Sequence, residues 1–404
     1  MNMIIAKSNQ LALEDFECER GPAAADPPSE SRAPPVSAPQ PKIVLFDRND
    51  ITTGWQGTVP IGAGFDNMGN TCYMNATLQA LFHVPSFANW LMSCTCCSIS
   101  CDLSGDDDDL CLICAMMETL YLAHIHSGGS IPPELMWSRL KSVFKDAEYG
   151  RQEDAHEFLR FLIEKLELTC LKSVPDGSTL DPRSKETNAI AQIFGGYTRT
   201  LLLCQNCENT STTFQHFQEI SLDIHEDVAD LHGALELFFR PESMNGYKCQ
   251  KCNSQRSSEK RLSIDSLPNV LCVQLKRFDP WGNKITKAIG CPRYLDLSEF
   301  MFDSSSEVAA EYQCVSIINH KGSSHRYGHY TANGHDSNNQ FYIFNDESVT
   351  KTKKFQNSTV SKSSWAYVLM YERVQQRSET SSTSNEIPPS PAECPISTIP
   401  ELTA

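Results

Sequence analysis

Cysteine attacks carbonyl carbon as its thiolate, and one cysteine of this chain stands where a thiolate is favoured. It is Cys72, in the run Gly69-Asn70-Thr71-Cys72-Tyr73-Met74-Asn75. Gly-Asn-Thr is turn and helix-capping chemistry, and the apolar residues Met74, Leu78, Leu81 and Phe82 then repeat at the spacing of one helix face. The spacing predicts Cys72 at a helix N-terminus, where unpaired N–H groups and the helix dipole stabilise negative charge. The same position also suits a buried thiol that only packs. A nucleophile needs a base. His329 differs in context from the other histidines: Gly328 beside it carries no side-chain bulk, and Tyr330 opens an alternating run that predicts a strand. A second strand-like run, Phe341–Phe344, ends in Asn345-Asp346. If the two runs pair, either Asn345 or Asp346 can orient the imidazole of His329, completing a set of nucleophile, base and orienting group.

Four further cysteines have the spacing of metal ligands. Cys204-Gln-Asn-Cys207 and Cys249-Gln-Lys-Cys252 are two Cys-x-x-Cys knuckles, each after a strand-like or turn segment. Four thiolates so arranged supply a closed tetrahedral zinc site, which leaves no coordination position for water and so makes the metal structural. The reaction itself is therefore expected to need no catalytic cofactor. A second group, Cys94, Cys96, Cys97 and Cys101 with Cys111 and Cys114 beyond the acidic run Asp106–Asp109, could chelate a second zinc but fits no standard ligand spacing; Cys111 and Cys114 lie one helical turn apart in an apolar stretch where thiols pack. Asp154 and Glu157 open another predicted helix, where acidic residues favour the N-terminus.

Helices must present the first half of these groups and strands the second. Helical faces appear at Met74–Phe82, around Met116–Ile125, and at Leu159, Leu162, Ile163 and Leu166. After about Ile193 the pattern turns to short β runs, Tyr197–Leu203, Val270–Leu275, Tyr312–Asn319, Phe341–Phe344 and Ala366–Tyr371, divided by Gly, Asn, Pro and Asp. Helices first and strands second predict an α+β fold. Residues 21–41 hold seven prolines and almost no large apolar side chain, and 375–404 hold five more among Ser and Thr. Such segments cannot offset their ordering entropy. The expected division is a Pro-rich tail over 1–60, a folded domain over 61–374 and a second tail over 375–404.

The chain has 404 residues and a formal net charge of −16. That balance argues against nucleic-acid binding, which needs clustered Lys and Arg, and suits basic protein partners. Seventeen cysteines without a secretory leader read as thiols or metal ligands of a reducing compartment, cytoplasmic or nuclear. The chain also lacks the roughly 18–20-residue apolar run that a membrane span requires.

Taken together the segments resemble a known family. Gly64-Phe-Asp-Asn67-Met-Gly-Asn-Thr-Cys72-Tyr-Met-Asn75-Ala-Thr-Leu-Gln79 is similar to the cysteine box of the ubiquitin-specific proteases. Gly328-His329-Tyr330 with Phe344-Asn345-Asp346 resembles their histidine box, and Tyr149-Gly-Arg-Gln152-Glu-Asp154-Ala-His156-Glu157-Phe158 resembles the acidic motif between the two. Leu275-Lys-Arg-Phe278 and the closing Ala366–Tyr371 run are also family-like, in family order, over about residues 61–374. The resemblance implies a papain-like cysteine protease with a helical thumb, a β-rich palm and zinc-ribbon fingers at about 195–262. It implies hydrolysis of isopeptide or peptide bonds at the C-terminal glycine of ubiquitin, through an acyl-enzyme on Cys72, with ubiquitin and ubiquitinated proteins as partners of a monomeric enzyme. His329 would be base and then acid, Asn67 the oxyanion donor, and Asn345 or the neighbouring Asp346 the orienting group. Asp154 and Glu157 would meet the Arg-containing tail of ubiquitin, and Cys204, Cys207, Cys249 and Cys252 would hold one structural Zn2+. The alternatives are a catalytically silent ubiquitin-binding scaffold on the same fold and a zinc-ribbon interaction module in which Cys72 is a core thiol.

Overall fold

All eleven residues of the helix Cys72–Phe82 are buried, the mark of an element packed on every side. In the computed structural model, which describes residues 38–94, 111–255, 257–279, 281–302, 310–324, 327–353 and 360–374, this helix is the pivot between a helical layer and a large sheet. Pro85–Ser93 and Ala155–Lys172 pack against it on the helical side, and Leu112–Ile125 packs on those two helices. Ala155–Lys172 buries residues 155, 156, 158, 159, 162, 163 and 166, one stripe of the helix, against the core. The three expected helical faces lie in these helices.

The sheet runs in the order Ser348–Lys351, Phe341–Asn345, Tyr327–His335, Glu311–Ser324, Ala366–Arg373, Val270–Lys276, Ile220–Asp223, with Tyr294–Asp296 alongside Glu311–Ser324. Its neighbours are antiparallel except Ile220–Asp223 against Val270–Lys276. The central strands are apolar on both faces because both are covered. Val270 and Cys272 face the helical core, whereas Leu271, Val273 and Leu275 join a second core under the helix Leu231–Phe239. The five β runs read from the sequence all lie in strands of the structure.

A separate four-stranded sheet, Thr210–Phe217, Gly196–Cys204, Ser258–Ser266, Glu242–Met244, carries both Cys-x-x-Cys knuckles at one end. It runs to Ser266, past the boundary expected at 262. A helical layer, a mixed sheet and a β-ribbon extension make the α+β architecture expected for thumb, palm and fingers.

One expectation needs correction at the N-terminus. Residues 42–56 are packed, not a tail: Ile51 is 4% exposed, Phe46 N donates to Thr187 O at 3.0 Å, and Gly54 N donates to the Glu372 carboxylate at 2.8 Å. This strap lacks helix or strand periodicity because only single apolar residues, Phe46, Ile51 and Trp55, reach the core, while Ile43 and Val44 stay exposed. Residues 1–37 and 375–404 lie outside the described residues, as do Cys96, Cys97, Cys101 and Asp106–Asp109. Among the described residues no helix is long and apolar enough to cross a membrane.

Candidate active site

The turn before Cys72 is built from Asn67. Its Oδ1 accepts the N–H of Gly69 at 3.0 Å and of Thr71 at 3.1 Å. That bonding winds the chain through two left-handed residues, Gly69 (φ 99°) and Asn70 (φ 55°). Asn70 is locked in turn by a 2.8 Å bond from Nδ2 to Gly150 O. Thr71 precedes the helix but does not cap it through its side chain; its hydroxyl accepts from Met68 N at 2.9 Å. Cys72 is the first helical residue and is buried, 3% exposed.

His329 arrives from the sheet. Its strand, Tyr327–His335, pairs antiparallel with Phe341–Asn345, as the sequence required for an orienting group to reach it. The ring nitrogen Nε2 meets Asn345 Oδ1 at 2.5 Å, and the Cys72 thiol stands close enough to the imidazole to act on its titration. A carboxamide oxygen only accepts, so Nε2 carries the hydrogen toward Asn345. The His329 pKa is pushed up to about 9, first by Cys72, then by the bond to Asn345 and the charges of Cys72 and Asp346, against the opposing effect of burial. At neutral pH the His329 imidazole is thus set to carry its proton.

Asn345 and Asp346, both open candidates in the sequence, are divided by the backbone. Asp346 adopts φ 47°, which turns its side chain away from His329. Its Oδ2 accepts from Asn67 Nδ2 at 2.9 Å and its Oδ1 from Asn75 Nδ2 at 2.8 Å. Phe65 N–H donates to the Asp346 carbonyl at 2.9 Å, an approach that Gly64 permits: a Cβ there would overlap the carbonyl of Glu347. Asn345 therefore faces the imidazole, and Asp346 holds the amide of Asn67. Asn75 has no role in the sequence reading, although a buried Asn one turn past Cys72 in an otherwise closely packed helix was a readable signal.

The acidic motif also divides. Asp154 is the N-cap of Ala155–Lys172: Oδ1 accepts from His156 N at 2.8 Å and Glu157 N at 3.0 Å, and Oδ2 accepts the hydroxyls of Tyr367 at 2.8 Å and Tyr330 at 3.3 Å. Its carboxylate is filled by four donors. Asp154, Glu157 and Glu153 all border a cleft of about 550 Å3, together with Asn70, Gly150, Arg151, Gln152 and Tyr327, but Glu153 and Glu157 lack the full set of donors that occupies Asp154. Burial, then neighbouring acids, pushes the carboxyls of both Glu153 and Glu157 up, opposed at Glu153 by Arg151 and at Glu157 by Arg160 and His156. Such a pocket favours a cationic occupant. Gln152 and Glu153 were not singled out from the sequence; Gln152 Oε1 accepts from Gly328 N at 3.3 Å, next to His329.

Both cysteine knuckles adopt the same loop. Glu208 N donates to Cys204 O at 2.9 Å and Asn253 N to Cys249 O at 2.8 Å, with Glu208 (φ 56°) and Asn253 (φ 54°) left-handed. Cys204 and Cys252 sulfurs lie 3.8 Å apart, Cys207 and Cys249 sulfurs 3.7 Å, and all four ligand atoms fall within 4.8 Å of one another. The donor set fits a tetrahedral thiophilic ion such as Zn2+.

The profile of the family described as "Ubiquitin carboxyl-terminal hydrolase" matches residues 63–371. The chain is 42% identical over 350 residues to ubiquitin carboxyl-terminal hydrolase 36 of Drosophila virilis, covering 85% of this chain and 28% of that protein. It is 42% identical over 322 residues to the protein of that name from Drosophila melanogaster, covering 78% of this chain and 31% of the relative. The chain thus spans about a third of the length of these curated relatives or less. Among solved structures it is similar to a SAGA DUB module of Ubp8, Sgf11, Sus1 and Sgf73 bound to monoubiquitin, with TM-score 0.66, 28% identity, and coverage of 81% of this chain and 72% of that one. The Ubp8/Sgf11/Sus1/Sgf73 module bound to ubiquitin aldehyde matches with TM-score 0.66 at 26% identity, over 81% of this chain and 72% of that one.

Proposed function

The chain belongs to the ubiquitin carboxyl-terminal hydrolase family, and from that premise we propose that it is a thiol-dependent deubiquitinase acting at the C-terminal glycine of ubiquitin. The observation that carries the proposal is the imidazole of His329, bonded to Asn345 Oδ1 and pushed up in pKa by the neighbouring Cys72. In this reading the Cys72 thiolate attacks the glycine carbonyl, and the oxyanion that forms is met by Asn67. One hydrogen of the Asn67 amide group goes to Asp346 and the other is left for the oxyanion. The His329 imidazolium gives its proton to the departing amine, leaving a thioester on Cys72. Neutral His329 then takes one proton from water as it attacks the thioester, which releases the ubiquitin carboxyl group, whose own proton passes to solvent, and restores the thiolate–imidazolium pair. Asn345 keeps the ring oriented through both halves.

The cleft lined by Glu153, Asp154 and Glu157 is assigned to the basic tail of the modifier; Glu153 and Glu157 are the proposed ligands, because the Asp154 oxygens are already taken by the helix N-terminus and two tyrosines. Ubiquitin is supported as partner by the ubiquitin-bound state of the two similar structures. Cys204, Cys207, Cys249 and Cys252 would hold one Zn2+ that closes the far end of the finger sheet; bound, it supplies cross-linking and no reaction step. Metal analysis of the purified protein is expected to give one zinc per chain, lost in Cys252→Ser. A nucleophilic thiol and a four-thiolate site both require reduced sulfur, which supports a cytoplasmic or nuclear location.

The test is covalent capture. Ubiquitin bearing a C-terminal electrophile should add to the wild-type chain, by intact mass, and not to Cys72→Ser. Binding without an adduct on the wild type would overturn catalysis in favour of a silent scaffold. Neither binding nor adduct would overturn ubiquitin as the substrate.

A further inference from the structure

His329 stands near the tip of a hairpin, Glu311–Ser324 with Tyr327–His335, whose register slips between Gly322 and Ser324. A bulged tip is a poor platform for a base that must meet two partners at once. Something must hold it from behind. In the register His329 lies opposite Lys321, Gly328 opposite Gly322 and Tyr330 opposite His320. Side chains alternate along a strand, so His320 and the two glycines share the face turned away from the His329 imidazole.

His320 occupies the space those glycines leave. Its side chain is buried, 1% exposed, and a Cβ at Gly328 or Gly322 would overlap or crowd its ring. The ring packs against Tyr330 (centroids 4.7 Å apart) and edge-on to Phe278 (5.4 Å). Its Nδ1 lies 3.0 Å from Lys284 Nζ, and the same ammonium donates to the His320 carbonyl. Lys284 belongs to the turn 278–284, closed by the Phe278–Lys284 bridge. The hairpin is thereby gripped at two points near its tip, Gly328 N–H by Gln152 and His320 by Lys284.

We propose that His320 is a positioning residue for His329: as a wedge behind Gly328, tied to Lys284, it fixes the hairpin at the position where the imidazole meets Cys72 and Asn345 together. The proposal rests on the reading of Cys72 and His329 as the reactive pair, and its range of action is sub-ångström. A base displaced by about 1 Å from its partners loses on the order of a hundredfold in rate.

The experiment uses the full chain as wild type, His320→Ala and Lys284→Met, the last leaving the aromatic cluster whole. Two readouts are taken on protein shown to be folded by its thermal transition. The first is the rate of Cys72 alkylation by iodoacetamide across about pH 6–10. The second is kcat and KM on a fluorogenic amide of the ubiquitin C-terminus. Both variants are expected to slow alkylation at about pH 7 by about tenfold and to shift its pH profile, and to lower kcat about tenfold with KM changed less than about twofold. A wild-type alkylation profile in either folded variant overturns the proposal. If His320→Ala does not fold, Lys284→Met decides alone. A wild type whose Cys72 is alkylated normally but which leaves the amide uncut would overturn the substrate reading, and the alkylation comparison would still decide the role of His320.

Discussion

At the scale of single residues, the two neighbours Asn345 and Asp346 carry different work, and the difference has measurable consequences. Asp346 touches Asn67 and Asn75, so Asp346→Ala should release Asn67, the proposed oxyanion donor, while leaving the imidazole oriented. We expect kcat to fall by about a hundredfold or more with little change in KM, the loss typical of an oxyanion donor. A variant within a few-fold of wild type would remove Asp346 from the site. The His329 shift sets the pH dependence. Its pKa is raised to about 9, so the imidazolium that must protonate the leaving amine persists through neutral pH and is lost as pH rises through about 9. The kcat/KM profile should therefore decline only above about pH 9; a decline already complete by about pH 8 would contradict the pairing with Cys72. Cys72 and His329 carry local signals, a helix start and an adjacent glycine on a strand-like run, whereas Asn67 enters only through the family resemblance. The assignment of Asn345 over Asp346 could not be read from the sequence, because it depends on one left-handed φ angle that many residues at a strand end could adopt.

At the scale of elements, the start of the helix Ala155–Lys172 shows how one short acidic motif serves two ends. Sequence alone joins Asp154 and Glu157 as substrate ligands or as helix-capping acids. In the fold the cap is Asp154, and Tyr330 and Tyr367 converge on its second oxygen, which binds the helix to two strands of the sheet. Asp154→Ala removes the cap and leaves two buried hydroxyls without their acceptor. A loss of about 2–4 kcal/mol is expected, read as the urea midpoint. Glu157→Ala removes a carboxylate that faces the cleft, so stability should change by less than about 1 kcal/mol while KM for a ubiquitin substrate rises. The reverse pattern, a KM effect at Asp154 without a stability effect, would return Asp154 to the substrate. The tyrosines were beyond sequence reading because Tyr330 and Tyr367 lie 176 and 213 residues from Asp154. The knuckles were within reach because each is a local loop whose two ligands sit within one short turn of the chain.

At the scale of the whole molecule, the least legible feature is where the folded domain begins. Seven prolines in residues 21–41 mark a composition boundary, and the absence of periodicity after it suggests that the tail continues to Ile61. The structure continues the domain backward instead. Ile43 N and Leu45 N donate to Ser184 and Thr187 hydroxyls, Gln192 donates to the carbonyl of Phe46, and Ile51 is sealed in the helical core. The decisive contact is at the other end of the chain. Glu372, on the last strand, is buried, and burial pushes its carboxyl up; its two oxygens accept from Ser86 N at 2.7 Å and Gly54 N at 2.8 Å. The strap thus supplies one of the donors to a buried carboxylate on the central sheet, while the helix Pro85–Ser93 supplies the other. A chain cut at Ile61 would expose the site of Ile51 and leave Glu372 with one of these two donors, a destabilisation of about 3 kcal/mol or more. Comparing residues 38–374 with 61–374 by urea unfolding tests this directly: equal midpoints would show that the strap is an appendage. A lower midpoint for the shorter chain, partly recovered by Glu372→Gln, would show that the first ordered residues complete the environment of the last strand. That closure brings the two ends of the domain together beside the helix Pro85–Ser93, which follows directly on the one that carries Cys72.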